Sequence, residues 1–218
     1  MATFVLIPGG GTDPWYWHRL VDELRVRGHE AIPVDLPCED DAAGLDEYAD
    51  TVVAAIGGRA DAVLVAHSLG GFTGPLVAAR VPVRMLVLLS AMIPVPGETA
   101  GDWWANTGHA ATLAGQPESD VLALFTHGMP DDLAAEVLRH DRDQSGTPFG
   151  QPWPLPAWPD VPTRFVVCRD DRFFPADFIR GLVAQRLGFT PDEIGGGHLA
   201  ALTHQRELAD QLEAYLLD

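Results

Sequence analysis

Short apolar runs recur along this chain, and each is followed by a turn signal and then an amphipathic stretch. Residues 3–7 (TFVLI) stop at Pro8-Gly9-Gly10-Gly11, residues 62–66 stop at His67-Ser68, and residues 163–168 stop at Arg169-Asp170-Asp171. Residues 31–34 and 85–89 are further runs of this kind, and a short strand is expected near Glu193-Ile194. None alternates apolar with polar residues, so each reads as a strand covered on both faces. Between them lie helical patterns. Thr12 or Asp13 caps a helix with Pro14 in its first turn, Leu20, Val21 and Leu24 on one face, and Gly28 at its end. Others span 45–56, with Tyr48, Val52 and Ile56 in register, then 69–79, 176–187 and, capped by Thr203, a final helix to 217. Strands alternating with helices predict an α/β fold, with a mostly parallel sheet of about six strands flanked by helices.

One stretch breaks the pattern. Residues 92–160 hold four of the six tryptophans, many prolines and one short helical pattern at 131–140. This segment reads as a helical cap inserted between two strands. The 218 residues are expected to form a single domain, with its core at 1–91 and 161–218 and the cap at about 92–160. A chain of this length buries roughly 70% of its unfolded surface, which supports one sizeable core.

The net charge of −17 comes from 14 basic and 31 acidic side chains. Such a surface repels phosphate backbones and anionic lipids, so no nucleic-acid or membrane partner is expected. Every basic residue is arginine. Without lysine there is no Schiff-base anchor for pyridoxal chemistry and no Walker-type phosphate lysine. Cys38 and Cys168 stand far apart with no metal-like spacing and read as free thiols in a reducing compartment. The opening apolar run is too short for a signal or a membrane span, which leads to a cytoplasmic expectation.

Chemistry-bearing residues cluster where the apolar runs end. In Ala66-His67-Ser68-Leu69-Gly70-Gly71, a serine sits on a sharp turn between strand and helix, flanked at two residues either side by small Ala66 and Gly70. Such a turn presents the hydroxyl at the sheet's C-terminal edge. Asp170 and Asp171 follow the strand ending at Cys168, either one a candidate acid, and His198 follows Gly195-Gly196-Gly197, whose bare backbone lets an imidazole approach. Taken alone, the acid reads as a helix cap and the histidine as an ordinary loop residue. In the order Ser, Asp, His, each at a strand end, they read as nucleophile, acid and base. Gly10, after the first strand, and Leu69, after the serine, can aim backbone N–H groups at a developing oxyanion.

These residues resemble the α/β-hydrolase superfamily over nearly the whole chain. The compact methylesterase/hydroxynitrile-lyase-type branch is similar in its apolar first strand (Phe4-Val5-Leu6-Ile7), its turn and its tryptophan pair, here Trp15-x-Trp17. The resemblance implies the α/β-hydrolase fold, Ser68 as nucleophile, Asp171 rather than Asp170 as acid, His198 as base, and Gly10 and Leu69 as oxyanion donors. There are departures. Ala66 replaces the usual glycine, Pro8 a customary histidine, Leu199 a lysine of the lyases, and Gly9 a hydroxyl residue. The last two argue against cyanohydrin cleavage.

The expected activity is therefore a serine carboxylesterase acting on a small or apolar acyl ester, with no cofactor and no metal. Gly9, Trp103, Trp104 and Trp153 are candidates for substrate binding, although the tryptophans, with Trp158, suit interior packing of the cap equally well. His67 is expected to pack beneath the turn. The partner is a small-molecule substrate, and the chain a monomer or homodimer. A cofactor-free lyase or oxygenase on the same fold, or a slowly turning ligand-binding protein, remains an alternative. A nicotinamide oxidoreductase is weaker, because Pro14 stands where a dinucleotide fingerprint needs its third glycine.

Overall fold

The computed structural model describes residues 1–114 and 120–217. Its strands are β1 (Thr3–Ile7), β2 (Glu30–Pro33), β3 (Val63–His67), β4 (Met85–Leu89), β5 (Thr163–Cys168) and β6 (Asp192–Ile194). They form one sheet in the order β2-β1-β3-β4-β5-β6, and every neighbouring pair is parallel. Its helices are α1 (His18–Val26), α2 (Leu45–Ile56), α3 (Gly70–Arg80), α4 (Ala100–Asn106), α5 (His109–Thr112), α6 (Val121–Phe125), α7 (Asp131–Arg139), α8 (Thr147–Gly150), α9 (Ala176–Arg186), α10 (Ala200–Thr203) and α11 (Gln205–Ala214). Among the described residues no helix is long and apolar enough to cross a membrane.

Successive strand residues point to opposite faces, so each strand feeds two cores. Val5, Ile7, Leu64, Leu86, Leu88 and Phe165 face one layer, with Val52 of α2, Leu76 of α3 and Ile179 of α9. Phe4, Leu6, Val63, Val65, Val87 and Val166 face the other, with Leu20 and Leu24 of α1 and Leu208 and Leu212 of α11. This double burial explains why the central strands carry no polar alternation.

The chain leaves β1 through a 3₁₀ turn, Pro14–Trp17, before α1 begins. Asp13 Oδ1 caps that turn by accepting from the Trp15 N–H at 2.7 Å. The final helix, expected to follow a Thr203 cap, begins one residue later: His204, outside helical angles, precedes α11, and a short extra turn, α10, lies before it. The His204 ring lies where a side chain on Gly195 or Gly196 would stand, so the break between α10 and α11 seats this histidine against the glycine loop.

Between β4 and β5 the described residues form α4 to α8, where the sequence predicted one helix at 131–140. Helices of four to seven residues complete at most two turns and leave no legible periodicity. Strand order reverses between β1 and β3, on either side of the first strand in the chain. In open α/β sheets that switch point, at the C-terminal strand ends, is where a crevice forms.

Candidate active site

Ser68 occupies the step from β3 to α3 with φ of +52°, a left-handed conformation rarely taken by residues other than glycine and one that stores strain. The crowding around it accounts for its neighbours. A Cβ on Gly70 would stand 2.8 Å from the Pro8 carbonyl oxygen, and one on Gly9 would stand 3.0 Å from Ser68 Cβ. Ala66, the departure from the customary glycine, fits because Gly74 of α3 faces it. A Cβ on Gly74 would lie 3.0 Å from the Ala66 methyl.

The three separated side chains meet at this turn. His198 Nε2 lies 3.1 Å from Ser68 Oγ, and His198 Nδ1 lies 2.8 Å from Asp171 Oδ2. Asp171 is buried, and its Oδ1 accepts from the backbone N–H groups of Phe173 (2.9 Å) and Phe174 (2.8 Å). With one oxygen fixed by two donors, the other faces the imidazole. Asp170 does something different: its Oδ2 accepts from the Gly196 N–H at 3.0 Å, and its own N–H donates to the Gly196 carbonyl. It shapes the loop that delivers His198, and Asp171 alone reaches the ring.

His67 contributes more than packing under the turn. Its Nε2 lies 2.9 Å from the His198 carbonyl oxygen. A carbonyl can only accept, so Nε2 carries the proton and Nδ1 is bare. Among the described residues Nδ1 has no hydrogen-bond partner. Burial, reinforced by the nearby charge of His198, pushes the His67 pKa well below the ordinary histidine value, and the bond to the carbonyl only partly opposes this. His67 is thus neutral, and it ties the end of β3 to the backbone of His198.

Gly10 is exposed and borders the cavity at Ser68, whereas Leu69, next to the serine in the chain, is buried. Among the described residues neither N–H donates to a protein acceptor. The cavity at Ser68 measures about 70 Å³. Gly9, Gly10 and Gly11 form one wall, and Leu122, Phe125 and Val137 of the cap another. Leu199 and Leu202 extend the apolar lining, and Thr12, Asp13, Trp15, His140 and Asp141 also border it. Phe125 stacks on the His198 ring at 5.0 Å between centroids.

The tryptophans expected in the pocket are elsewhere. Trp103 and Trp153 are buried in the core, where their indole N–H groups donate to the carbonyls of Ile93 and Phe72, each at 3.2 Å. Trp104 packs edge-on against His109 and Phe173. Large apolar rings with a satisfied N–H serve to dock the cap onto the sheet layer. The tryptophan that does border the cavity is Trp15, stacked on His140 at 4.3 Å and on His18 at 4.8 Å. Its only sequence signal was the tryptophan pair. Leu122 and Phe125 gave none, lying in the five-residue α6, and Val137 lies in the predicted cap helix, whose docking against the cavity is a tertiary matter.

The Alpha/beta hydrolase family profile matches residues 4–211. The probable esterase PIR7A of Oryza sativa subsp. indica is 27% identical over 248 residues, covering 96% of this chain and 94% of that protein. Polyneuridine aldehyde esterase of Rauvolfia serpentina is 31% identical over 248 residues, covering 94% and 92%. The solved structure of an extracellular alpha/beta-hydrolase from a Paenibacillus species superposes with a TM-score of 0.80 at 18% identity, covering 97% of this chain and 98% of that one.

Proposed function

The chain belongs to the alpha/beta hydrolase family, and from that premise we propose that it is a serine carboxylesterase cleaving esters of small or apolar acyl groups. The observation that carries this reading is the unbroken hydrogen-bonded line from Ser68 Oγ through His198 to a buried Asp171. In it His198 Nε2 takes the hydroxyl proton, and Asp171 holds the Nδ1–H tautomer and stabilises the imidazolium that forms. Ser68 Oγ bonds to the ester carbonyl carbon, and the carbonyl π pair moves onto oxygen, where the Gly10 and Leu69 N–H groups receive it. The proton on His198 passes to the departing alkoxide, leaving an acyl-serine. Water, deprotonated by His198, then releases the acid and restores the hydroxyl.

The esterase relatives support the ester bond as target. The cavity supports a compact acyl group. At about 70 Å³ it is smaller than the roughly 150 Å³ apolar void that takes up benzene in an engineered core. A series of p-nitrophenyl esters from acetate to decanoate tests the reading. Acetate and butyrate should be the best substrates, and S68A should lose turnover by about three orders of magnitude or more. Full hydrolysis by S68A would overturn the assignment.

A further inference from the structure

We propose that Gln144, a cap residue, is a positioning residue that fixes the Gly9–Gly11 loop so that the Gly10 N–H faces the oxyanion. The inference rests on the serine-esterase reading above and extends it to a residue outside the triad and its donors.

An oxyanion donor works by being fixed before charge develops, and three consecutive glycines are the least suited backbone to stay fixed. Some outside restraint is required, and the structure supplies it from the cap. The Gly11 N–H donates to Gln144 Oε1 at 2.9 Å, and the Gly11 carbonyl accepts from the Arg142 N–H at 3.0 Å. Thr12 pairs with Asp141 as an isolated antiparallel bridge. A short stretch of cap therefore runs alongside the loop like a neighbouring strand. Contact is close: a Cβ on Gly11, where φ is +60°, would stand 2.7 Å from the Arg142 carbonyl oxygen. A Cβ on Gly10 would meet Leu69 Cδ2 at 3.3 Å on one side and Gln144 Oε1 at 3.4 Å on the other. The Gly10 backbone thus sits between the serine turn and the Gln144 amide.

Gln144 is itself held. Its Nε2 donates to the Tyr48 hydroxyl at 3.1 Å and to the Ser145 carbonyl at 2.9 Å. The Gly11 N–H can only donate and the Ser145 carbonyl can only accept, so the amide has one possible orientation. Its backbone is anchored next door, where the Ser145 N–H donates to the Cys38 carbonyl at 2.7 Å and Ser145 Oγ to Asp41 Oδ1 at 2.8 Å.

The test compares wild type with Q144M, which keeps volume and removes the acceptor, and with Y48F, which keeps the acceptor and removes one of the groups that orient it. The substrate is p-nitrophenyl acetate. The transition-state probe is an aryl trifluoromethyl ketone, to whose carbonyl carbon Ser68 Oγ adds, with the proton passing to His198 and the negative charge to oxygen. A loop out of place by about an ångström costs on the order of 100-fold in rate. Q144M should therefore lose about 10- to 100-fold in kcat with KM nearly unchanged. Ketone affinity should fall by the same factor as kcat/KM, since both report the oxyanion. Y48F should show the same pattern in smaller size, and it carries the test should Q144M not fold. A merely structural role would lower Tm and leave the kcat–ketone proportionality absent. Unchanged kcat and ketone affinity in a folded Q144M, or a loss confined to KM, overturns the proposal. S68A separates the two claims: if S68A is inactive and Q144M normal, the brace alone fails, whereas an active S68A removes the serine reading and the brace together.

Discussion

His67 carries the clearest consequence at the scale of single residues. It is a histidine kept neutral by burial beside His198. His109, whose Nε2 lies 2.6 Å from the Phe173 carbonyl oxygen, is held below its ordinary value for the same first reason. When the native pKa lies below the unfolded one, the unfolded chain binds more protons between the two values, so stability rises with pH across that window. Above the unfolded value of about 6.5 both states are neutral and these residues cost nothing. As pH falls below it, unfolded histidine protonates while buried His67 does not, and stability is lost. The melting temperature of wild type should thus fall as pH drops from about 7 towards 5, and in H67Q, which does not titrate, that fall should be shallower. Parallel curves for the two proteins would contradict the assignment. That Ser68, Asp171 and His198 come together was legible in the sequence, because the first two follow apolar runs, the third follows a glycine loop, and their order was informative. His67 was legible only as packing. Its tie to the His198 carbonyl spans two distant segments and depends on the loop fold, which no local pattern encodes.

At the scale of elements, α3 determines how the serine turn is held. Gly71 in its first turn lies so close to the β4 exit that an added Cβ would collide with the Met92 carbonyl oxygen. The Met92 N–H in turn donates to the Ser68 carbonyl at 2.9 Å. G71A should therefore push the turn and the β4 exit apart, costing about 1–3 kcal/mol or more in chemical denaturation. It should also reduce kcat, because the strained serine moves with the turn. An unaltered midpoint and kcat would show that the close approach is not needed. The main strands and helices were readable from apolar runs and from 3.6-residue spacing. The cap was not: α5 and α8 have four residues each, and their sequences carry turn and helix signals alike. The cap tryptophans stayed open between pocket and interior for a related reason, since a large ring suits either and only the tertiary contact decides.

The whole molecule joins a rigid sheet to a cap, and one buried ion pair fastens them. Glu98, before α4, is almost wholly buried, and its carboxylate accepts from Arg186 of α9 at 2.5 and 2.9 Å. The Asn106 amide and the Val95 N–H complete its shell at 2.9 and 3.3 Å. Removing one partner of a buried pair strands the other charge, so R186M should lose about 3–5 kcal/mol, while the apolar double variant E98L/R186M should regain much of it. Urea denaturation of the three proteins measures this, and additive losses would contradict a coupled pair. The sheet was legible as a whole from the sequence, and with it the edge where the site lies; the contact between cap and glycine loop was not, because it joins Gly11 to Gln144 across most of the chain. The proposed chemistry turns on Ser68 being an activated nucleophile. Titration with a fluorophosphonate, followed by peptide mass spectrometry, tests this most directly. One adduct per chain on Ser68, formed in step with loss of ester hydrolysis, is the predicted result. Hydrolysis that survives complete modification of Ser68, or an adduct on another residue that abolishes it, would contradict the account.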